Sequence, residues 1–293
     1  MQSFHDDYPI VRLDPLIAFP DLAELPDQPK QLSMRGSLDK TKGTIFLTVV
    51  GSRKYSSYGK SVCESLVKGL RDYPITIVSG LALGIDAIAH QAAIDVGLPT
   101  IAFPGSGLNW NVLYPAQHKA LAEQILVSGG ALLSEYKDDL KATIWSFPRR
   151  NRLEAGISRM TLIIEAEEKS GTLITARLGT EYNKIVGAVP GPVTSATSKG
   201  TNWLLKLGAV PITETADILK ELNLIEHTFL DSAPAVILNA DEERIIALLQ
   251  QPKTKDAIIQ ELSLEPGAAN IIFSTLEIKG VIKETFGYIE RIA

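Results

Sequence analysis

TIFLTVVGSRKYSSYGKSVCESLVKGLRDYPITIVSG spans residues 44–80. It opens with an apolar, β-branched run, TIFLTVV at 44–50, that breaks at Gly51. A segment with helical spacing follows, YGKSVCESLVKGL, and then a second β-branched run, ITIVSG at 75–80. Two strands joined through a helix lie parallel, with a right-handed crossover. The alternation continues with strand-like PTIAFPG (99–105), ALLSEY (131–136), TLIIEAE (161–167), KIVGAVPG (184–191) and AVPIT (209–213). Between them lie helical patterns such as GIDAIAHQAAIDVG, AQHKALAEQILVSG and GTLITARLGTEYN. The pattern predicts an α/β fold, a doubly wound, Rossmann-like, mostly parallel sheet covered on both faces. Ligands of such sheets bind beyond the carboxyl ends of the strands.

Outward from this core, which covers residues 41–222, the pattern changes on both sides. Residues 1–40 hold many prolines and no sustained period, so they read as an irregular lead-in with one short strand. The composition shifts near residue 223, and 223–238 reads as a linker. Residues 239–293 carry three short helical patterns, DEERIIALLQ, TKDAIIQEL and GAANIIFSTLEIKG, before the alternating VIKETFGYIERI. Three helices followed by a β-ribbon predict a small winged-helix domain.

The 293 residues are 45% apolar and 22% charged, as in a soluble globular protein with ample core. No apolar run is long enough to span a bilayer, and no signal-like segment opens the chain, so a cytoplasmic protein without membrane contact is expected. Cys63 is alone and the four histidines are scattered, which leaves no disulfide and no metal-ligand spacing. The net charge of −5 is unevenly spread. Residues 40–225 carry 20 Lys/Arg against 16 Asp/Glu, whereas 226–293 carry 6 against 11. A mildly basic block between acidic ends suits a local anion site.

SFPRRNRLEAGIS at 146–158 sharpens that expectation. A helix from about Pro148 would place Arg149, Arg150 and Arg152 near its positive pole, where cations are disfavoured by roughly 0.3–1 kcal/mol each. Either Arg150 pairs with Glu154 one turn on, or the arginines face an anion. The strand ends supply small residues for such a site: Gly51-Ser52-Arg53, Ser79 to Gly84, Pro104 to Gly107, and Ser170-Gly171-Thr172. Glycine allows close backbone approach, and free N–H groups at a helix start hold phosphate oxygens. Two decoys fail. Gly59-Lys60-Ser61 lacks the preceding P-loop glycine, since Lys54 stands there, and Trp110 replaces the third glycine of a dinucleotide fingerprint. Asp86 reads as a helix-start residue and His90 as packing. Glu165, beside Glu167 and Glu168, reads as a solvated strand end, with a paired-carboxylate site as the alternative. Phe147 is either a stacking ring or a loop anchor.

GSRKYSSYG, SGLALGIDAIAH, GSGLNWNVLYP, SEY, FPRRNRLEAGIS, IIEAEEKSGTLITA, VGAVPG and GTNWLLKLGA occur here in one order. In that order they resemble the DNA-processing family called DprA or Smf, over roughly residues 45–222. The resemblance implies a Rossmann-like domain that binds single-stranded DNA without sequence specificity, forms homodimers, and loads the recombinase RecA in natural transformation and DNA recombination. It implies no catalysis, no cofactor and no metal. It maps a DNA site onto Gly51, Ser52 and Arg53; onto Phe147, Arg150, Asn151 and Arg152, with Arg149 in the variable position; and onto Lys169, Ser170, Gly171 and Thr172. On that mapping Arg150 and Arg152 are partly exposed phosphate ligands, and their loss leaves the fold intact. Many family members carry an N-terminal SAM-like domain, which looks absent here. The acidic winged helix suggests a protein-contact or regulatory role rather than duplex binding. Trp203, Leu204 and Leu207 are either core or interface.

A different reading is enzymatic. Nucleoside-monophosphate phosphoribohydrolases on related folds use a GGxGTxxE loop; here Thr175 occupies the place of the catalytic glutamate, leaving no obvious general acid–base. A nucleotide-binding sensor is a third reading of the same pocket.

Overall fold

The structure is a computed structural model that describes residues 7–225, 238–249, 251–262, 264–285 and 287–291. The chain divides into two compact units at residue 227. In the first unit the elements run β1 (Val11–Leu13), α1 (Pro15–Ala18), β2 (Leu32–Gly36), β3 (Ile45–Val50), α2 (Ser57–Lys68), β4 (Ile75–Ser79), α3 (Ile85–Asp95) and β5 (Thr100–Ala102). They continue with α4 (Lys119–Val127), β6 (Ala131–Ser134), α5 (Ser146–Ile157), β7 (Met160–Ile163), α6 (Thr172–Glu181), β8 (Ile185–Ala188), α7 (Lys199–Lys206), β9 (Val210–Pro211) and α8 (Thr215–Glu221).

The strands form one sheet in the order β1-β2-β6-β5-β4-β3-β7-β8-β9. From β3 to β9 and from β3 to β6 every pairing is parallel; Leu47 lies beside Ile77 on one side and Met160 on the other. The chain first winds from β3 out to β6, then returns past β3 to β7 and winds the other way. Right-handed crossovers then place α2, α3 and α4 on one face and α6 on the other, with α5 against α6. Side-chain alternation matches. Leu47, Val49, Ile75 and Ile77 pack with Cys63, Leu66 and Ala89 of α2 and α3. Val78, Ile101 and Leu133 pack with Leu153 and Ile157 of α5. Between the first set, Thr48 donates its hydroxyl to the Glu154 carbonyl of α5 at 2.8 Å.

The lead-in is more ordered than its sequence suggests. It holds two strands, and β2 joins the sheet antiparallel to β6, pairing Arg35 with Leu132. Such short strands carry too few residues to show a period; the edge of β6 supplies their pairing. Leu22 and Leu32 are fully buried beneath α5 and the sheet.

The second unit holds α9 (Ala240–Leu248), β10 (Lys253–Thr254), α10 (Lys255–Leu262), α11 (Pro266–Ile278), β11 (Ile282–Thr285) and β12 (Tyr288–Arg291). The strands form an antiparallel sheet in the order β10-β12-β11. Ile245, Ile258, Phe273, Leu276 and Ile289 make its own core. Asn239 caps α9 in a capping box with Glu242, whose carboxylate also pairs with Lys279 at 2.7 Å. Most of the segment read as a linker, residues 226–237, lies outside the described residues.

Candidate nucleic-acid interface

The sheet reverses its winding between β3 and β7, and the helices that follow these neighbours leave on opposite faces. That arrangement opens a crevice at their carboxyl ends. A cavity of about 440 Å³ occupies it, lined by Gly51 to Lys54 after β3, Ala82 and Asp86 after β4, the start of α5, and Ser170 to Thr172 after β7. Glycine brings the loops together. Gly84 has φ +87°, and a Cβ there would lie 2.3 Å from the Ser52 carbonyl. The Thr172 hydroxyl donates to the Gly51 carbonyl at 3.1 Å and ties α6 to the β3 loop.

Glu165 is not a solvated strand end. It is 1% exposed and accepts from the Ser56 N–H at 2.9 Å, the Ser56 hydroxyl at 2.6 Å and the Thr197 hydroxyl at 2.9 Å. It thus fastens the start of α2 and the 190–198 loop to β7. Three neighbouring donors explain why the carboxylate tolerates burial. His90 is fully buried, hydrogen-bonded through Nδ1 to Thr100 at 2.7 Å, and pushed down to about 3 by burial. Asp86 accepts from the Gly80 and Ala82 N–H groups at 3.2 and 3.3 Å and so shapes the β4 loop.

The arginines depart from the sequence expectation. Arg150 is 5% exposed. Its Nη1 donates to the Gly80 carbonyl at 2.6 Å and to the Phe103 carbonyl, its Nε donates to Asn151 Oδ1 at 3.1 Å, and it pairs with Glu154 at 3.2 Å. Arg152 is 6% exposed and pairs with Glu135 and with Asp27. Arg149 is exposed and pairs with Glu135 at 3.0 Å. Arg150 and Arg152 are therefore buried cations paired within the fold, not the partly exposed residues that the mapping implied. The helix begins at Ser146 rather than Pro148, and its register turns Arg150 toward the ends of β4 and β5. Arg149 and Arg152 instead converge on Glu135, which follows β6. Arg149, Arg152 and Lys169 do not line the cavity; Gly51, Ser52, Arg53, Phe147, Arg150, Asn151, Ser170, Gly171 and Thr172 do.

Several charged residues of the cavity were not read as part of a site from the sequence: Lys54, Asp86, Glu154 and Glu167. Lys54 lines it beside Arg53; both are exposed, and among the described residues neither makes an ion pair. The signal was the SRK run directly after the strand. Glu154 forms part of the floor, 1% exposed, its carboxyl pushed up to about 8 by burial against the opposing pull of Arg150. Buried Asp86 also lies above the usual carboxylate range, for the same reason and with the same partial offset. Among the described residues there is no cluster of three or more His, Cys, Asp or Glu able to hold a metal.

Chemically the site offers Arg53 and Lys54 with the exposed carboxylate of Glu167 around its rim, neutral donors and an aromatic wall. Arg150 fixes the Asn151 amide by donating to its oxygen, which leaves the NH₂ group as the donor. Ser170 and Gly171 already accept the first N–H groups of α6, so that helix start gives less to an anion than its glycine loop suggested. The Arg53 guanidinium lies 5.1 Å from the centre of the Phe147 ring, and the Tyr114 ring packs 5.6 Å from it. Phe147 is both a loop anchor over Gly105 and a ring within reach of the cavity.

Fold and site together define a doubly wound α/β protein with a cation-rimmed crevice at its topological switch point. Residues 3–223 match the family model described as DNA recombination-mediator protein A, and the chain belongs to that family. It is 39% identical over 229 residues to Protein Smf of Escherichia coli (strain K12), covering 78% of this chain and 60% of that one. It is 39% identical over 201 residues to DNA processing protein DprA of Streptococcus pneumoniae, covering 69% and 70%. The chain thus spans under two thirds of the Escherichia coli relative. Among solved structures it resembles the Streptococcus pneumoniae DprA X-ray structure, with TM-score 0.67 and 36% identity over 75% of this chain and 78% of that one. It also resembles Helicobacter pylori DNA processing protein A, described for its single-stranded DNA binding mode, with TM-score 0.67 and 29% identity over 76% and 99%.

Proposed function

We propose that this protein binds single-stranded DNA in the switch-point crevice, without sequence specificity, and hands the strand to the recombinase RecA in recombination and natural transformation. The observation that carries the reading is the pair of unpaired cations, Arg53 and Lys54, on the rim of a cavity walled by an aromatic ring. Cations meet the phosphates and rings meet the bases, with no array of groups to read base edges. The single-stranded DNA binding mode of the Helicobacter pylori relative supports the same use of the fold. Titration of labelled single-stranded and blunt duplex oligonucleotides over a salt series tests it; equal affinity for both sinks it.

Self-association is part of the proposal. A groove of about 1430 Å³ between α6, α7 and the β8–β9 edge is lined by Leu173, Val186, Trp203 and Leu207, of which Trp203 is 51% and Leu207 64% exposed. Leu204 is core. An apolar patch of this kind fits a two-fold contact with a second copy. We read the second unit as a winged helix that contacts protein. Helix α11, in the recognition position, holds no Lys or Arg between Pro266 and Ile278, which deprives it of phosphate contacts. We read the first unit as a binding module rather than a phosphoribohydrolase because Thr175, buried in the site, has no carboxyl to offer. No helix among the described residues is long and apolar enough to cross a membrane, and the proposed role is cytoplasmic.

A further inference from the structure

We propose that Tyr114 is a second base platform of the strand site, so that two adjacent bases stack, one on Phe147 and the next on Tyr114. The inference rests on the single-strand reading above and specifies how many bases the site holds. A smaller depression adjoins the main cavity and shares Arg53, Phe147 and the buried Arg150 with it; Leu83, Gly105 and Tyr114 lie on its rim. Tyr114 is 42% exposed, and its ring is inclined 51° to that of Phe147. The backbone holds it there: its N–H donates to the Ser106 hydroxyl at 3.2 Å, and the Leu113 N–H donates to the Asn109 carbonyl at 3.1 Å. Gly80 and Gly105 let side chains close over the backbone: a Cβ on Gly80 would lie 2.2 Å from the Arg150 guanidinium, and one on Gly105 2.5 Å from the Phe147 ring. The packed floor holds the two rings in place, and the exposed part of the Tyr114 ring offers apolar area on which a planar group can stack. Arg53, already over Phe147, is placed to neutralise the phosphate between the two bases. Two inclined rings splay neighbouring bases apart, a geometry a stacked duplex does not offer.

The test uses the full chain and oligothymidylates in which one thymidine at a time is replaced by 2-aminopurine. Wild type is expected to change the probe's fluorescence at two adjacent positions. Tyr114→Leu, which keeps apolar bulk over Phe147 without a flat ring, is expected to respond at one position and to bind about 5- to 100-fold more weakly. Its salt dependence stays that of wild type, because no phosphate contact is lost. Tyr114→Phe restores both positions. Wild-type binding by Tyr114→Leu, or a response at a single position in wild type, overturns the proposal. If wild type binds no single strand at all, the underlying reading fails instead.

Discussion

Arg150→Ala tests how the site is built. The substitution removes the cation that faces Glu154 and Asp86, and the donor that holds the carbonyls of Gly80 and Phe103. Breaking a buried ion pair from one side costs about 3–5 kcal/mol. Glu154 sheds its charge readily at neutral pH, so the low end applies, about 3 kcal/mol. A domain of this size loses about 2–4 °C of Tm per kcal/mol, which places the drop at about 6–12 °C. Adding Glu154→Gln recovers part of it by removing the acid left behind. Strand affinity falls because the loops ending β4 and β5 loosen and Asn151 loses its orienting donor. The log–log salt slope is expected to stay at its wild-type value, because the buried guanidinium is taken up by Glu154 and the Gly80 and Phe103 carbonyls. Thermal unfolding and a salt-dependent titration on one variant read both quantities. A Tm within about 2 °C of wild type together with a slope smaller by about 0.7 would refute the argument and restore Arg150 as a phosphate ligand.

The double variant Arg53→Ala, Lys54→Ala shows the opposite pattern: an unchanged Tm and a salt slope smaller by about 1.4, measured in the same titration. Glu154 has its folded pKa raised from 4.5 to about 8, so its contribution to stability is full below 4.5 and is lost as pH rises through 8. Asp86, raised by burial beside it, acts in the same direction. Urea unfolding from acid to mildly alkaline pH is therefore expected to show falling stability, and Glu154→Gln to flatten the fall. Leu207→Glu places a charge in the α6–α7 groove and is expected to give a monomer mass by light scattering; an unchanged dimer mass would move the interface elsewhere.

The parallel core was legible because β3 to β9 each carry an apolar run between helical spacings, and this local pattern survives in the sequence. The antiparallel edge was not legible, since β1 and β2 are set by β6, about a hundred residues away. The loop cations divide in the same manner. Arg53 was readable because GSR leads straight from a strand into the following turn. The fate of Arg149 and Arg152 was not, because their partner Glu135 arrives from the end of β6 rather than from their own helix. Only the Arg150–Glu154 pair, four residues apart on α5, was visible as a local alternative. Glu165 misled for a related reason: its donors Ser56 and Thr197 are far from it in sequence, so its burial left no local mark.

Arg149, Arg150 and Arg152 are held by carboxylates of the fold, so Arg53 and Lys54 are the cations of the proposed strand site that carry no ion pair among the described residues. On the proposed reading these two cations would give a salt slope near −1.4 on a single strand. Since phosphate contacts supply most non-specific affinity, one such site holds a strand weakly. Stacking on Phe147 adds to it, but tight binding requires more than one site on the same strand. Two copies joined through the α6–α7 groove, as proposed, would meet that need, because the second contact would be intramolecular and would raise avidity by about 10²–10⁴ without any new interaction. A monomeric Leu207→Glu protein should accordingly keep wild-type affinity for an oligonucleotide too short to reach two sites and lose it for a long one. Equal losses on both lengths would mean that the groove supports the crevice itself rather than a second copy.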